Sequence, residues 1–166
     1  WNPIERYGVD AFAEAIAANG GSGVITPDLT IEESNQWLGA TKANSINPIY
    51  VVAPSTSDAR LPKVTSACGG FVYAASLMGV TGARNSVSSG AADLVARIRK
   101  STDLPIAVGL GVSTREQAKG VAAYADGVIV GSAFIKALQD APNEEAGLAA
   151  VTELAKELAK GVREGR

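Results

Sequence analysis

The sequence has no histidine and only one cysteine, Cys68, among its 166 residues. A single cysteine excludes an internal disulfide framework, and without a His/Cys cluster there is no candidate zinc or other metal site. The missing histidine removes the commonest acid–base side chain, so any proton transfer would have to use carboxylates, tyrosine or lysine. Long apolar runs and a secretory signal are also missing, which predicts a cytoplasmic protein without a membrane partner.

Charge of either sign is scarce as well. Charged residues make up 19% of the chain, the formal net charge is -2, and Lys and Arg form no basic block. These values argue against a nucleic-acid partner and against binding to a membrane surface. Hydrophobic residues make up 46%, which is enough for a packed core, and the length suits one domain. We therefore predict that residues 1–166 form a single domain.

Short apolar runs alternate with amphipathic stretches along the chain, a pattern typical of βαβ units and a parallel sheet. The candidate strands are almost free of polar residues, as expected of strands buried on both faces. They comprise residues 23–25, 48–52, 71–74, 105–108 and 127–130. Five parallel strands can form an open doubly wound sheet or part of a TIM (β/α)8 barrel, and periodicity alone leaves both open.

Capping signals indicate where helices start between these strands. The capping box at residues 30–33 predicts a helix to about Thr41, and the one at residues 113–116 predicts another toward Tyr124. Asn143 precedes an Ala- and Leu-rich helix with Lys and Arg gathered in its last turns. Further helices are predicted for residues 9–19, 58–67 and 89–100.

Three stretches that follow strands have unusual loop sequences, and ligand sites of α/β proteins form at this end of the strands. The first, residues 74–84, is too long and too rich in glycine for a tight turn and predicts a lid with glycine hinges. The second is Gly109-Leu110-Gly111, where two glycines let the backbone approach a ligand and hold an anion with its N–H groups. It lacks the third glycine of the dinucleotide fingerprint.

The third stretch, Gly131-Ser132, joins a buried strand directly to a short helix. The first N–H groups of such a helix can bind phosphate, although the serine could equally be an N-cap and nothing else. TIM barrels often bind phosphate with the loops after their last two strands and a short extra helix. Because Gly111 and Gly131-Ser132 follow consecutive final strands, we favour a barrel in which the five strands are numbers four to eight.

Seven groups of residues occur in the order and spacing of one enzyme family and extend over nearly the whole chain. They are Asn-Pro-Ile at 2–4 with Tyr-Gly-Val at 7–9, Pro-Asp-Leu at 27–29 with Glu-Glu at 32–33, Ala-Pro-Ser at 53–55, Phe-Val-Tyr at 71–73, Gly-Val-Thr-Gly-Ala at 79–83, Gly-Leu-Gly-Val-Ser at 109–113 and Val-Gly-Ser-Ala at 130–133. In these motifs the sequence resembles the tryptophan synthase alpha subunits. The Gly-Val-Thr-Gly stretch after Tyr73 is the most specific of them.

The resemblance implies a TIM (β/α)8 barrel of which this chain supplies strands 4–8 and their helices. It implies retro-aldol cleavage of indole-3-glycerol phosphate to indole and glyceraldehyde 3-phosphate, a lyase step of tryptophan biosynthesis that uses no cofactor. It also implies a heterotetramer with a beta subunit, which holds pyridoxal phosphate and receives the indole. Because the chain starts at Trp1 without an initiator methionine, we expect a cut through a longer sequence just after the third barrel strand.

Matched residue by residue, the family's phosphate cradle corresponds to Gly82, Gly111, Gly131 and Ser132. The residues that match its substrate wall and lid are Tyr73, Val51, Leu110, Ile129 and Thr81. Leu110 takes a place often held by phenylalanine, and Thr81 matches the lid residue that meets the catalytic Asp on closure. Strand residues such as Val51 and Ile129 are usually only core, whereas the Tyr73 hydroxyl needs a partner if it is buried.

The resemblance implies that this chain contains no catalytic residue. The family uses a Glu on its second strand and an Asp in the following loop, and both would lie before Trp1. Asp28 matches a structural and interface residue, and Asp126 precedes a strand, at the wrong end of a barrel, so neither is a substitute. We therefore predict that the chain alone binds phosphate poorly and is catalytically inactive.

Five strands of a barrel would leave two unpaired edges and an exposed apolar interior. We expect the chain to pair with the missing N-terminal segment, or to exchange strands with a second copy. Two alternatives stay open. One is another phosphate-binding TIM-barrel enzyme, such as indole-glycerol-phosphate synthase or a histidine-pathway barrel, which would lack the lid after Tyr73. The other is a non-catalytic partner that only docks to and activates a beta subunit through residues 53–55 and the lid.

Overall fold

The computed structural model describes residues 1–75, 87–109 and 111–166, which form two compact units. The first unit comprises Trp1–Tyr73 with Arg97–Pro105, and the second comprises Ala74–Ala96 with Ile106–Arg166. Both contain helices and short parallel strands, so the predicted α/β class is confirmed. None of the described helices is both long enough and apolar enough to cross a membrane. A single domain over the whole chain stays a prediction.

The first unit begins with two helices that precede its first strand. Its elements are α1 (Asn2–Tyr7), α2 (Val9–Ala18), β1 (Gly23–Ile25), α3 (Asn35–Ala43), β2 (Asn47–Ile49), β3 (Val51–Val52), α4 (Leu61–Thr65), the start of β4 (Val72–Ala75) and the end of α5 (Val87–Ile98). β1 pairs in parallel with β2, with Gly23 opposite Asn47. In β4, the Tyr73 N–H donates to the Tyr50 carbonyl, just before β3, at 3.3 Å.

An aromatic cluster forms the core between α2 and α3. Trp37 is fully buried, and its ring meets that of Trp1 edge-on with the centroids 5.8 Å apart. The Phe12 ring lies 6.2 Å from Trp37 on another side. Because aromatic side chains bury more area than any others, this cluster is a main source of stability in the first unit.

The second unit carries the last strands and the longest helix. Its elements are the end of β4, the start of α5, β5 (Ile106–Gly109), α6 (Arg115–Ala122), β6 (Gly127–Ile129), α7 (Ser132–Gln139) and α8 (Glu144–Glu164). The strand order is β4-β5-β6, and β5 pairs in parallel with β6, with Gly109 opposite Ile129. Parallel pairing brings the carboxyl ends of β5 and β6 to one edge, so the segments that follow them start side by side.

A glycine allows α8 to approach α6 closely. At Gly161, an added methyl group would overlap the carbonyl oxygen of Arg115, the first residue of α6. The Arg115 guanidinium also pairs with Glu164 and, at 3.4 Å, with Glu157. Hydrogen bonds from Arg115 lower the pKa of the Glu164 carboxyl, so the ionised pair is favoured. Both contacts hold the first turn of α6 against α8.

The predicted helix start at Thr30 is wrong, because α3 begins at Asn35. The Thr30 hydroxyl does donate to the Glu33 carboxylate at 2.8 Å, but residues 31–33 form a turn. Glu32, within that turn, accepts two hydrogen bonds from the Arg60 guanidinium at 2.6 and 3.0 Å. A partner 28 residues away therefore holds the segment where a helix was predicted.

Two further elements differ from the prediction. The strand predicted at residues 48–52 is divided into β2 and β3 by Tyr50, which is buried, and the two parts belong to different sheets. The helix predicted at residues 58–67 is reduced to the five residues of α4. The Asp58 carboxylate instead accepts a hydrogen bond from Arg97 at 2.6 Å, and residues 58–60 form a turn.

Candidate functional site

The loop after β5 reverses at a glycine with left-handed backbone conformation. Gly111 has a φ of 67°, which residues with a side chain adopt only at a cost in free energy. The next residue, Val112, is 3% exposed and anchors the loop in the core, while Gly111 and Ser113 are exposed. The loop thus combines a fixed position with an accessible backbone.

A capping box joins this loop to α6, one residue later than predicted. The Thr114 hydroxyl accepts the Gln117 N–H at 3.3 Å, and Gln117 Oε1 accepts the Thr114 N–H at 3.2 Å. The predicted box of Ser113 with Glu116 is therefore wrong, because Thr114 is the N-cap and Ser113 is itself a donor to Gln117. Sequence reasoning missed Gln117, because the Thr-x-x-Gln signal of the actual box overlaps the Ser-x-x-Glu signal of the predicted one.

The segment after β6 enters α7 without a side-chain cap. Gly131 is the N-cap and Ser132 is the first helical residue, which excludes the alternative that Ser132 is merely an N-cap. The first N–H groups of a helix have no partner within it, and the N-terminal end of a helix favours negative charge. Because Gly131 and Ser132 are both exposed, this helix start can meet an anion from solution.

Gly111 and Ser132 line the same open groove of about 540 Å³. Ser113 contributes from the first loop, and Lys136 lies one turn after Ser132 on α7. The Lys136 ammonium pairs with Asp140, also on the groove wall, at 2.6 Å. Both side chains of this pair are mostly exposed, so the pair is weak. The groups suited to an anion are the Lys136 ammonium, the backbone N–H groups and the Ser132 hydroxyl.

Six of the nine predicted site residues lie within the described part of the chain. Gly111 and Ser132 line the groove, Gly131 directly precedes Ser132 as the N-cap of α7, and half-buried Ile129 lies in β6. The other described residues belong to the first unit, where each lies on a strand: Val51 in β3 and half-buried Tyr73 in β4. Those outside the described residues are Thr81, Gly82 and Leu110.

Val51 lines a second cavity, of about 350 Å³, within the first unit. The segment after β1, including Asp28 and Thr30, forms another wall of this cavity, and Arg60 closes one side. The Arg60 guanidinium is held there by Glu32. Val51 is thus accessible from an open space and is only partly core.

The two carboxylates weighed as catalytic substitutes, Asp126 and Asp28, differ in their surroundings. The Asp126 carboxylate accepts the Ile106 N–H at 2.9 Å and ties the starts of β5 and β6 together. Asp28 is exposed and lines the cavity of the first unit. Among residues 1–75, 87–109 and 111–166, no three His, Cys, Asp or Glu side chains come together to hold a metal ion.

Comparison with known proteins relates this groove to one family. Residues 1–163 match the family model of the tryptophan synthase alpha chain. The tryptophan synthase alpha chain of Streptomyces avermitilis is 58% identical over 165 residues, which are 99% of this chain and 60% of that relative. The structure of Mycobacterium tuberculosis tryptophan synthase matches with 52% identity and a TM-score of 0.86, over 98% of this chain and 60% of that one.

A more distant solved structure agrees in fold. The tryptophan synthase α2β2 complex of Pyrococcus furiosus matches with 33% identity and a TM-score of 0.82, over 98% of this chain and 64% of that one. The chain spans about 60% of the length of the first relatives it matches. The solved structures confirm the predicted TIM (β/α)8 barrel class, and the predicted resemblance is confirmed over nearly the whole chain. The chain therefore belongs to the tryptophan synthase alpha chain family.

Proposed function

We propose that this chain forms the phosphate-binding part of an alpha subunit that cleaves indole-3-glycerol phosphate to indole and glyceraldehyde 3-phosphate. The observation that carries the proposal is the groove shared by Gly111 and Ser132 at the start of α7. A phosphate dianion in this groove would meet unpaired N–H groups and the positive end of a helix. Membership of the family supports the choice of substrate.

Cleavage breaks the bond between indole C3 and the glyceryl chain. A base takes the proton of the adjacent glyceryl hydroxyl, a carbonyl forms as the bond breaks, and the electron pair remains on C3, which an acid protonates. In this proposal the phosphate is held by Gly82, Gly111, Gly131 and Ser132. The indole and glyceryl parts are contacted by Tyr73, Val51, Leu110 and Ile129, and Thr81 belongs to the lid. The chain thereby orients a substrate whose proton transfers need other carboxylates.

The proposal includes a beta subunit as partner and a cytoplasmic location. The Pyrococcus furiosus relative is an α2β2 complex, which supports a heterotetramer. We propose that the cleavage step uses no cofactor and that pyridoxal phosphate belongs to the beta partner. The small-molecule ligand of this chain is then the phosphate ester alone, without nucleic acid or membrane.

The 166-residue chain by itself is proposed to be inactive. The groove wall contains one carboxylate, Asp140, and this group is engaged by Lys136 at the far end of α7. The sequence has no counterpart of the family's catalytic Glu and Asp. We further propose that the chain associates with a complementary N-terminal segment, or with a second copy, because large apolar side chains such as Ile135 and Leu148 are more than half exposed.

The test joins this chain to the part of the Streptomyces avermitilis relative that it does not cover. Indole release from indole-3-glycerol phosphate is then measured for the joined protein, the relative itself and the 166-residue chain. We expect cleavage by the first two and none by the third. A folded joined protein without cleavage would contradict the proposal. If that protein nevertheless stimulated a beta subunit, the non-catalytic docking function would replace it.

A further inference from the structure

One side-chain oxygen holds the two residues that precede α6. Gln117 Oε1 accepts the Ser113 N–H at 2.8 Å, the Thr114 N–H at 3.2 Å and the Ser113 hydroxyl at 3.2 Å. Because three donors converge on this atom, it must be the amide oxygen and not the amide nitrogen. Gln117 lies in α6, so the loop is fixed to a helix that Gly161 and Glu164 of α8 hold in turn.

The same hydrogen bonds decide which loop groups can face a ligand. The N–H groups of Ser113 and Thr114 are directed at Gln117, so they are not available to an anion in the groove. The groups left for a ligand lie earlier, around Gly111, opposite the α7 start at Ser132. Gly111 has a φ of 67° and is followed within three residues by Ser113 and Thr114, so holding these two residues restricts the backbone at Gly111.

We propose that Gln117 is a positioning residue for phosphate binding, which sets the distance between the Gly111 backbone and the start of α7. The inference rests on the proposed function, since it assumes that the anion in this groove is the phosphate of the substrate. Gln117 does not touch the ligand. It acts by holding Ser113 and Thr114, and through them Gly111, in the conformation that binds.

Two substitutions separate the hydrogen-bonding role from side-chain size. Gln117→Leu keeps a similar volume but removes the acceptor, so the Ser113 and Thr114 N–H groups lose their partner. Gln117→Glu keeps an acceptor oxygen at the same reach and preserves the capping box with Thr114. A matched control is Asn143→Ala, which removes the N-cap of α8, where Asn143 accepts the Ala146 N–H at 2.9 Å; Asn143 is not one of the residues that line the groove.

The experiment combines two measurements. Amide hydrogen exchange at Ser113 and Thr114 is measured in the joined protein described above. Inorganic phosphate affinity and the KM and kcat for indole-3-glycerol phosphate are measured in the joined protein described above. For Gln117→Leu we expect exchange at both amides to rise at least tenfold, and phosphate affinity to fall, and KM to rise, about tenfold, with kcat within about twofold. Gln117→Glu should retain protection and stay within about threefold of the unsubstituted affinity.

The control variant and the possible outcomes separate the role of Gln117 from the proposed function. Asn143→Ala should lower the melting temperature but leave phosphate affinity and KM unchanged. Unchanged affinity and KM in Gln117→Leu, with phosphate bound by the unsubstituted protein, would overturn the role of Gln117 and leave the proposed function intact. Unprotected Ser113 and Thr114 amides in the unsubstituted joined protein would overturn it as well. If the unsubstituted joined protein bound no phosphate, the proposed function itself would fail.

Discussion

Trp37 in the first unit and Gly161 in the second represent opposite ways of packing two helices together. Trp37 fills the space between α2 and α3 with a large buried ring, with Phe12 and Trp1 around it. Gly161 has no side chain, and the backbone of α8 lies directly against the Arg115 carbonyl. The contact at Trp37 is stabilised by the burial of apolar area. The contact at Gly161 is stabilised by van der Waals attraction between closely packed backbone atoms.

The difference matters because only the second unit carries the candidate phosphate loops. Protein interiors are close-packed, and two backbones in direct contact have little freedom to move. Gly111 shortly precedes Arg115, where α8 contacts α6. Gln117 of α6 accepts hydrogen bonds from the residues between them, Ser113 and Thr114. Rigid elements beneath a binding loop hold its N–H groups in place, which is what recognition of a small anion requires.

Removing the Trp37 ring should have the largest effect of any single change. We expect Trp37→Ala to lower the free energy of unfolding by about 3–5 kcal/mol, because the fully buried ring leaves a cavity between α2 and α3. Denaturant unfolding followed by circular dichroism measures the change. Trp37→Phe keeps an aromatic ring and should lose clearly less. Equal losses for both variants would show that the ring contacts are not the source of stability.

Adding one methyl group at Gly161 tests the second way of packing. We expect Gly161→Ala to cost about 1–3 kcal/mol, because the methyl group would overlap the Arg115 carbonyl and push α8 from α6. Gly120→Ala in α6 is the matched control, since no atom lies within 4 Å of an added methyl group there. That variant should be neutral or slightly stabilised, because glycine is a poor helix former. Similar costs at both positions would contradict close backbone contact.

Removing the Ser132 hydroxyl probes the groove without disturbing either core. In the joined protein, Ser132→Ala should weaken inorganic phosphate binding about fivefold, the loss of one hydrogen bond to a charged group. The melting temperature should not change, because this hydroxyl caps no helix. Ser132→Thr retains the hydroxyl and should bind nearly as well. Unaltered binding by Ser132→Ala would mean that the backbone alone holds the anion.

The smallest effect concerns the exposed ion pair of the first unit. Hydrogen bonds from Arg60 and Lys63 lower the pKa of Glu32 to about 2, from 4.5. Because the folded-state pKa is lowered, the stabilisation is fully present above about pH 4.5 and is lost as the pH falls toward 2. The difference in melting temperature between the unsubstituted chain and Glu32→Gln should therefore shrink over this range. Added salt should shrink it at neutral pH, since the pair is exposed; a salt-independent difference would point to another cause.

Several elements were predictable because their causes lie within a few residues. The β5 and β6 strands follow from short apolar runs. Helix α8 starts where predicted because the side chain of Asn143, its N-cap, accepts the N–H of Ala146, three residues later. Where the decisive partner is distant, local patterns misled. Thr30 and Glu33 of the predicted capping box are hydrogen-bonded through their side chains, but no helix starts there, since Glu32 is paired with Arg60.

The candidate site shows the same limit. Gly111 and Gly131-Ser132 were found from their position after consecutive strands, and the structure places Gly111 and Ser132 on one groove. Gln117 was missed because two capping boxes overlap here, one of Ser113 with Glu116 and one of Thr114 with Gln117. Both satisfy the local pattern equally, so the sequence offers no reason to prefer either. In the folded chain, Thr114 takes the cap and Ser113 becomes a donor.

The sequence by itself determined the order of helices and strands, the glycines at which the backbone must turn, and the family to which the chain belongs. These depend on residue type and on spacing within one or two turns. Only the tertiary structure decided that Tyr50 divides a strand, that Gly161 lets α8 reach Arg115, and which capping box closes the loop. Gly161 and Arg115 are far apart in the chain, so no local pattern reveals their contact, and the two capping boxes are alternatives of similar local free energy between which the sequence does not choose.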